Sequence, residues 1–136
     1  MTKNNSKNSY THALGRRKSA IAIIKLFSGK GESLVNNISL DKYFPTKTEK
    51  IIYDKPFVIT KTVDKYHFQS KIIGGGKTGQ VQALSLAISR ALIKINESFK
   101  PELRAAGLLT VDSRVKERRM VGTGGKSRRQ KQSPKR

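Results

Sequence analysis

YHFQSKIIGGGKTGQVQALSLAISRALIKINESF, residues 66–99, holds two hydrophobic periods separated by a glycine run, and the fold follows from them. Tyr66, Phe68 and Ile72 alternate with His67, Gln69 and Lys71, the period of two of a half-buried strand. Gly74-Gly75-Gly76 ends that strand, and Thr78 is placed to cap the next element. From Gln80 to Phe99 the apolar side chains fall at Val81, Leu84, Ile88, Ala91, Leu92 and Ile95, a helical stripe. Arg90, Lys94 and Glu97 lie on the opposite side.

On the N-terminal side, Gly15-Arg16-Arg17-Lys18 leads into Ser19–Phe27, whose β-branched residues predict a strand with apolar side chains on both faces, near the sheet centre. The turn residues of Ser28–Gly31 then predict a hairpin partner at Ser33–Asn37, antiparallel to that strand. Ser39 is a candidate cap for a brief helix, Leu40–Phe44, stopped by Pro45. Residues 46–55 fit either class, with a helical turn at Thr48–Tyr53. Pro56–Thr60 reads as extended, and Asp64-Lys65 as a turn. On the C-terminal side, Pro101 opens a short helix that Gly107 stops, and Leu108–Val111 predicts a last strand. The expected domain is α+β, a two-layer sandwich with helices on one sheet face, spanning residues 14–112. A polar, flexible arm (1–13) precedes it and a basic tail (113–136) comes after it.

The formal net charge is +20 over 136 residues. Through Asp112 there are nineteen basic and eight acidic side chains, so the folded part carries +11; the tail holds ten Lys or Arg against Glu117 alone. After Val121 the tail has no apolar side chain, too little to offset the entropy of ordering a chain alone in water. Such a distribution points to a polyanion, with guanidinium and ammonium groups set against phosphates. No apolar run reaches the roughly 20 residues of a spanning helix, and no lipidation signal is present, so no membrane partner is expected. The opening MTKNNSKNSYTH lacks the apolar segment of a secretory signal and the Arg-rich pattern of a transit peptide, so the protein is expected to work where it is made. Cysteine is absent, and His12 and His67 stand alone, so neither a metal nor another cofactor is expected.

Gly74–Gly79 matches G-x-G-x-x-G between a strand and a helix, the local context of a pyrophosphate loop. The rest of that machinery is missing. Asp112, the next acidic residue at a strand end, is about thirty residues on where a ribose partner sits about twenty on. A phosphate-loop pattern ending at Gly76-Lys77-Thr78 would need its first glycine where Lys71 stands. Two readings stay open: a tight strand-to-helix turn, or a loop whose amides and Lys77 approach a nucleic-acid phosphate, the preferred one. No catalytic constellation accompanies it; Glu49, Asp54 and Asp64 read as loop charges, and no enzyme is expected. A nucleotide-dependent enzyme and a DNA-compacting protein are the competing classes.

An ordered set of motifs now becomes specific. Gly15-Arg16-Arg17-Lys18-Ser19-Ala20 opens a strand, and Gly74–Gln80 opens the long helix that contains Ala87–Leu92. Leu103–Thr110 precedes Asp112-Ser113-Arg114 and Lys116-Glu117-Arg118-Arg119, and the chain closes on Ser133-Pro134-Lys135-Arg136. Over roughly residues 10–136 this resembles the small-subunit ribosomal protein S-nine family of bacterial or plastid type. The resemblance implies a β-β-β-α-β-α order with a left-handed crossover, as in the second domain of ribosomal protein S-five. It implies a structural role in the small ribosomal subunit, with 16S-type rRNA of the head, neighbouring head proteins and the P-site tRNA as partners. Arg16, Arg17 and Lys18 match the family's early rRNA-contacting motif, and Arg114, Lys116, Arg118 and Arg119 the basic run that starts its tail. Lys126, Arg128, Arg129 and Lys131 continue the rRNA-binding charge, together with Lys77. Lys135 and Arg136 match the terminal pair that reaches the tRNA. Where the family has a Lys-Lys-Tyr-Gly block, Met120–Gly125 intervenes; Gln132 replaces a terminal aromatic residue, and Pro134 sits inside the closing motif. The Asp112–Arg119 pattern and the Lys/Asn/Ile-rich usage resemble plastid relatives. The expected compartment is therefore the chloroplast stroma, or otherwise the bacterial cytoplasm.

Overall fold

The computed structural model describes residues 9–125. Its mixed α+β architecture has one five-stranded sheet and its helices. Strand β5 (Tyr66–Ile73) and helix α3 (Lys77–Ile95) are the two elements of the opening stretch. Gly76 occupies the N-cap of α3, so Thr78 lies inside the first turn and does not cap it. Asn96 ends the helix earlier than expected. Its side chain accepts from the Ser98 amide (3.0 Å), and a 3-10 turn comes next at Glu97–Phe99.

Two strands stand where one was expected. Tyr10–Arg17 (β1) and Ala20–Ser28 (β2) pair antiparallel around a two-residue turn, Lys18-Ser19, with Lys18 at φ 53°. Residues 10–13, placed in the expected arm, thus belong to β1. β1 combines weak strand formers with small inward positions, Ala13 and Gly15, and it is pairing with β2 and packing under α3 that make it a strand. β2 lies between β1 and β5 in the sheet, and its inward side chains Ala20, Ala22, Ile24 and Leu26 are sealed from solvent.

The expected partner of β2 at Ser33–Asn37 is corrected as well. β5 pairs antiparallel with β2 and takes that edge, so Leu34–Val35 (β3) adds beyond it, parallel to β5. Asn36 locks the junction: its side chain accepts from the Ile72 amide (2.9 Å) and donates to the Ile72 carbonyl (3.1 Å). Asn36 and Asn37, at φ 49° and 65°, turn the chain into Ile38–Ser39 (β4), the Asn-rich chemistry of a tight hairpin. The sheet order is β1-β2-β5-β3-β4.

Leu40–Tyr43 (α1) forms as expected, although the Ser39 side chain makes no capping bond. Lys47–Ile59 (α2) is one continuous helix that includes Pro56, where a helical turn and an extended segment were expected. Its start is a Thr46-x-x-Glu49 capping box, with the Thr46 amide donating to Glu49 Oε2 at 3.2 Å. A proline inside a helix costs about 3 kcal/mol. Here Tyr53, Pro56 and Phe57 are buried together, and that burial offsets it. Sequence periodicity shows one apolar stripe on α3, yet every residue from Ala83 to Ser89 is buried, because the helix lies under β1 and β2 and against α2. Lys100–Ala105 (α4) plants Leu103 in the core, and Gly107, at φ 72°, ends it.

The predicted strand at Leu108–Val111 does not form. The Leu108 amide donates back to the Leu103 carbonyl (3.0 Å), and Leu108 and Leu109 pack onto the core instead of a sheet edge. The free edge of β1 is attended by α3: Arg90 donates to the Leu14 carbonyl (2.8 Å) and Lys94 to the His12 carbonyl (2.6 Å). Along the described residues the elements run β1, β2, β3, β4, α1, α2, β5, α3, the 3-10 turn and α4.

Candidate nucleic-acid interface

The end of the β1–β2 hairpin gathers motifs that lie far apart in sequence. Gly74 and Gly75, both left-handed, pass directly against it; a Cβ on Gly74 would lie 2.7 Å from the Ser19 carbonyl oxygen, and one on Gly75 3.0 Å from the Ala20 amide nitrogen. The glycine loop therefore lets β5 turn into α3 while touching the hairpin. Lys77 folds back onto α1, donating to the Tyr43 carbonyl (3.1 Å) with its ammonium 3.4 Å from the centre of the Tyr43 ring. Tyr43 in turn donates to Gln80 Oε1 (2.9 Å), and Gln80 donates to the Gly74 carbonyl (3.0 Å).

Arg17 is the hub of this end. Its Nε donates to Gln82 Oε1 on α3 (2.7 Å), one terminal nitrogen to the Arg114 carbonyl (3.3 Å), and the other pairs with Asp112 Oδ2 (3.1 Å). Asp112 is also gripped by the Arg114 guanidinium, at 2.7 Å and 3.0 Å to its two oxygens, and accepts from the Arg114 amide (3.1 Å). The bonds from Arg114, side chain first, and then the charges of Arg114 and Arg17 hold the Asp112 carboxyl well below the usual carboxylate range. The same contacts raise the Arg114 guanidinium. The two arginines and the carboxylate form a clamp that fixes where the basic segment leaves the domain.

The sequence-chosen cations thus divide. Arg16 and Lys18 are exposed around the hairpin end, whereas Arg17 is committed to the clamp. Lys116, Arg118 and Arg119 are exposed beyond it, lining a hollow of about 470 Å³ that closes at the Val121–Gly125 turn. Within that turn Thr123 Oγ1 donates to the Met120 carbonyl (2.7 Å). Lys126, Arg128, Arg129, Lys131, Lys135 and Arg136 lie outside the described residues. Sequence reasoning overlooked Gln82 and the anchoring role of Asp112. The Asp-x-Arg spacing at 112–114 was the available signal for the second, since a carboxylate two residues before an arginine can bond both its amide and its side chain.

Among the described residues no group of three His, Asp or Glu side chains converges as a metal site, and no helix is long and apolar enough to cross a membrane. Fold and cationic end together define a basic α+β protein with an anchored basic extension. The chain belongs to the ribosomal protein S9/S16 family, whose model matches residues 15–136. It is 50% identical over 117 residues to the small ribosomal subunit protein uS9 of Ureaplasma parvum serovar 3, covering 85% of this chain and 86% of that protein. This is a family of ribosomal proteins and not an enzyme family.

Proposed function

We propose that the chain is a structural constituent of the small ribosomal subunit that binds 16S-type rRNA in the subunit head. In this reading the domain docks beside neighbouring head proteins, its β3-to-β5 crossover is left-handed, and the extension from Ser113 runs along the RNA. Arg16, Lys18 and Lys77 meet phosphates near the hairpin end. Arg114, Lys116, Arg118 and Arg119 do so along the first part of the extension, and Lys126, Arg128, Arg129 and Lys131 further on. Arg17 acts through the clamp, aiming that extension. Lys135 and Arg136 reach the P-site tRNA. The observation that carries the reading is the Arg17–Asp112–Arg114 clamp, which ties a highly basic segment to one edge of a basic domain in a chain of this family. Of the two compartments, the bacterial cytoplasm is favoured by the bacterial relative.

The test is a filter-binding titration on head-domain rRNA across salt concentrations. With roughly 6–10 phosphates contacted, affinity falls about 10³–10⁵-fold between 50 and 200 mM salt. A flat salt response refutes the reading. Deleting Lys135 and Arg136 leaves rRNA binding nearly unchanged and weakens tRNA retention by about 1–3 kcal/mol, the scale of charged hydrogen bonds. An unchanged tRNA off-rate removes the terminal pair from that role.

A further inference from the structure

Beside the clamp lies a groove of about 390 Å³, bounded by the end of β1, by α2, by α3 and by residues 107–112. Its walls mix three kinds of group. Ile52, Leu86 and Leu108 are apolar; Arg16 and Lys55 are exposed cations at its rim; Ser85 lines it with a hydroxyl that is buried and has no hydrogen-bond partner among the described residues. The last point is unusual, because buried hydroxyls almost always find an acceptor or donor. The neighbouring Ser89 hydroxyl does so, donating to the Ser85 carbonyl at 2.8 Å. Asp112 also borders the groove, but Arg17 and Arg114 neutralise it, so an anion at the rim meets uncompensated positive charge.

We propose that this groove seats one nucleotide unit, with the base between the aliphatic walls and the phosphate on Arg16 and Lys55. Aliphatic walls accept the faces of a flat base, Ser85 and the Gln82 amide offer bonds to its edge, and the two cations match the phosphate. A bare anion would leave the apolar walls and the buried hydroxyl unused. The unit can be an unpaired nucleotide of rRNA, in which case the inference rests on the RNA reading above, or a free nucleotide.

The experiment uses the full chain, labelled for NMR and titrated with the four 5′-mononucleotides, with ribose 5-phosphate and with inorganic phosphate. In parallel the chain is ultraviolet-crosslinked to head-domain rRNA. Expected are saturable shifts confined to Arg16–Arg17, Ile51–Lys55, Gln82–Leu86 and Gly107–Asp112, with ribose 5-phosphate at least about fivefold weaker because it lacks the base. Ser85→Ala weakens the nucleotide by roughly three- to tenfold, the worth of one hydrogen bond, without lowering the melting temperature, since the hydroxyl supports nothing in the free protein. A purely structural serine would instead lower it. Lys55→Glu, at an exposed position, removes both the nucleotide shifts and any crosslink to these segments. Steeply salt-dependent rRNA binding with neither shifts nor a crosslink in the groove overturns the proposal and leaves the RNA reading intact. Equal binding of inorganic phosphate overturns it as well, as a simple anion site. Nucleotide shifts without rRNA binding support the groove as a free-nucleotide site and remove the RNA reading instead.

Discussion

Gly15→Ala is the sharpest test of how the domain is held together. Gly15 faces inward from β1 onto α3, and a Cβ there would lie far inside contact distance of the Ala83 carbonyl oxygen and 2.7 Å from the Ala87 amide nitrogen. Both obstacles are helix backbone, so no side chain can rotate away; the strand must lift or the helix must shift. Overpacking of a core costs typically about 1–3 kcal/mol, and a rigid backbone obstacle puts this site at or above the top of that range. Against a total stability of about 5–15 kcal/mol, the loss is a large fraction. For a domain of this size each kcal/mol moves the midpoint by about 4–8 °C, so the melt falls by about 12 °C or more. Gly76→Ala is the matched control, because a Cβ added there would meet nothing within 4 Å among the described residues and its φ is negative. Thermal unfolding monitored by circular dichroism reads both. A Gly15→Ala midpoint within about 2 °C of the parent, well under 1 kcal/mol, would refute the close approach of β1 and α3.

The clamp and α2 yield four further outcomes. Arg17→Ala removes the partner of Gln82 and of the Arg114 carbonyl and cuts Asp112 loose from β1, leaving it only Arg114, so trypsin cuts after Arg114 several-fold faster at pH 7 while the domain core stays resistant; an unchanged cleavage rate argues against the anchor. Because the folded-state Asp112 is depressed, its contribution is present above the ordinary carboxylate pKa and is lost only as pH falls through the folded value, so the parent keeps its resistance down through mildly acidic pH. Tyr53 is pushed up to about 12 by burial and then by the Asp54 and Asp41 carboxylates. Its contribution is complete below its ordinary value near 10 and is lost as pH rises through about 12, and Tyr53→Phe flattens stability over that window in alkaline melts. Asp54 is raised, first by burial and then by Asp41 and Asp64 against the opposing Lys50, which makes its charge unfavourable in the folded state; Asp54→Asn therefore raises the midpoint at pH 7 relative to pH 3.

Elements with a clean period were legible in the residues alone. β5, the body of α3 and β2 all stand where alternation or helical spacing put them. The departures share a cause: information carried by a partner and not by the segment. Tyr10–Arg17 has small residues where strands favour large ones, and only the underside of α3 explains them. Pro56 argued against a helix, and burial with Tyr53 and Phe57 outweighed it, although the Thr46-x-x-Glu49 box was a local sign of the helix start. Leu108–Val111 has the composition of a strand, but its two leucines pack onto the core and the Leu108 amide is taken by the Leu103 carbonyl. In the candidate site, exposed cations were readable from charge alone, whereas the assignment of Arg17 to a clamp required seeing Gln82 and Asp112 arrive from 65 and 95 residues away.

The contacts of Arg90 and Lys94 along β1 bear on how this protein behaves at high concentration. An unpaired strand edge is a template for another copy's backbone, and here two long cationic side chains already occupy its carbonyls. Trimming positive charge from α3 to make the chain easier to handle would thus strip the guard from that edge. The product would be expected to pair edge to edge with its own copies and drop out of solution, even as its overall self-repulsion is relaxed.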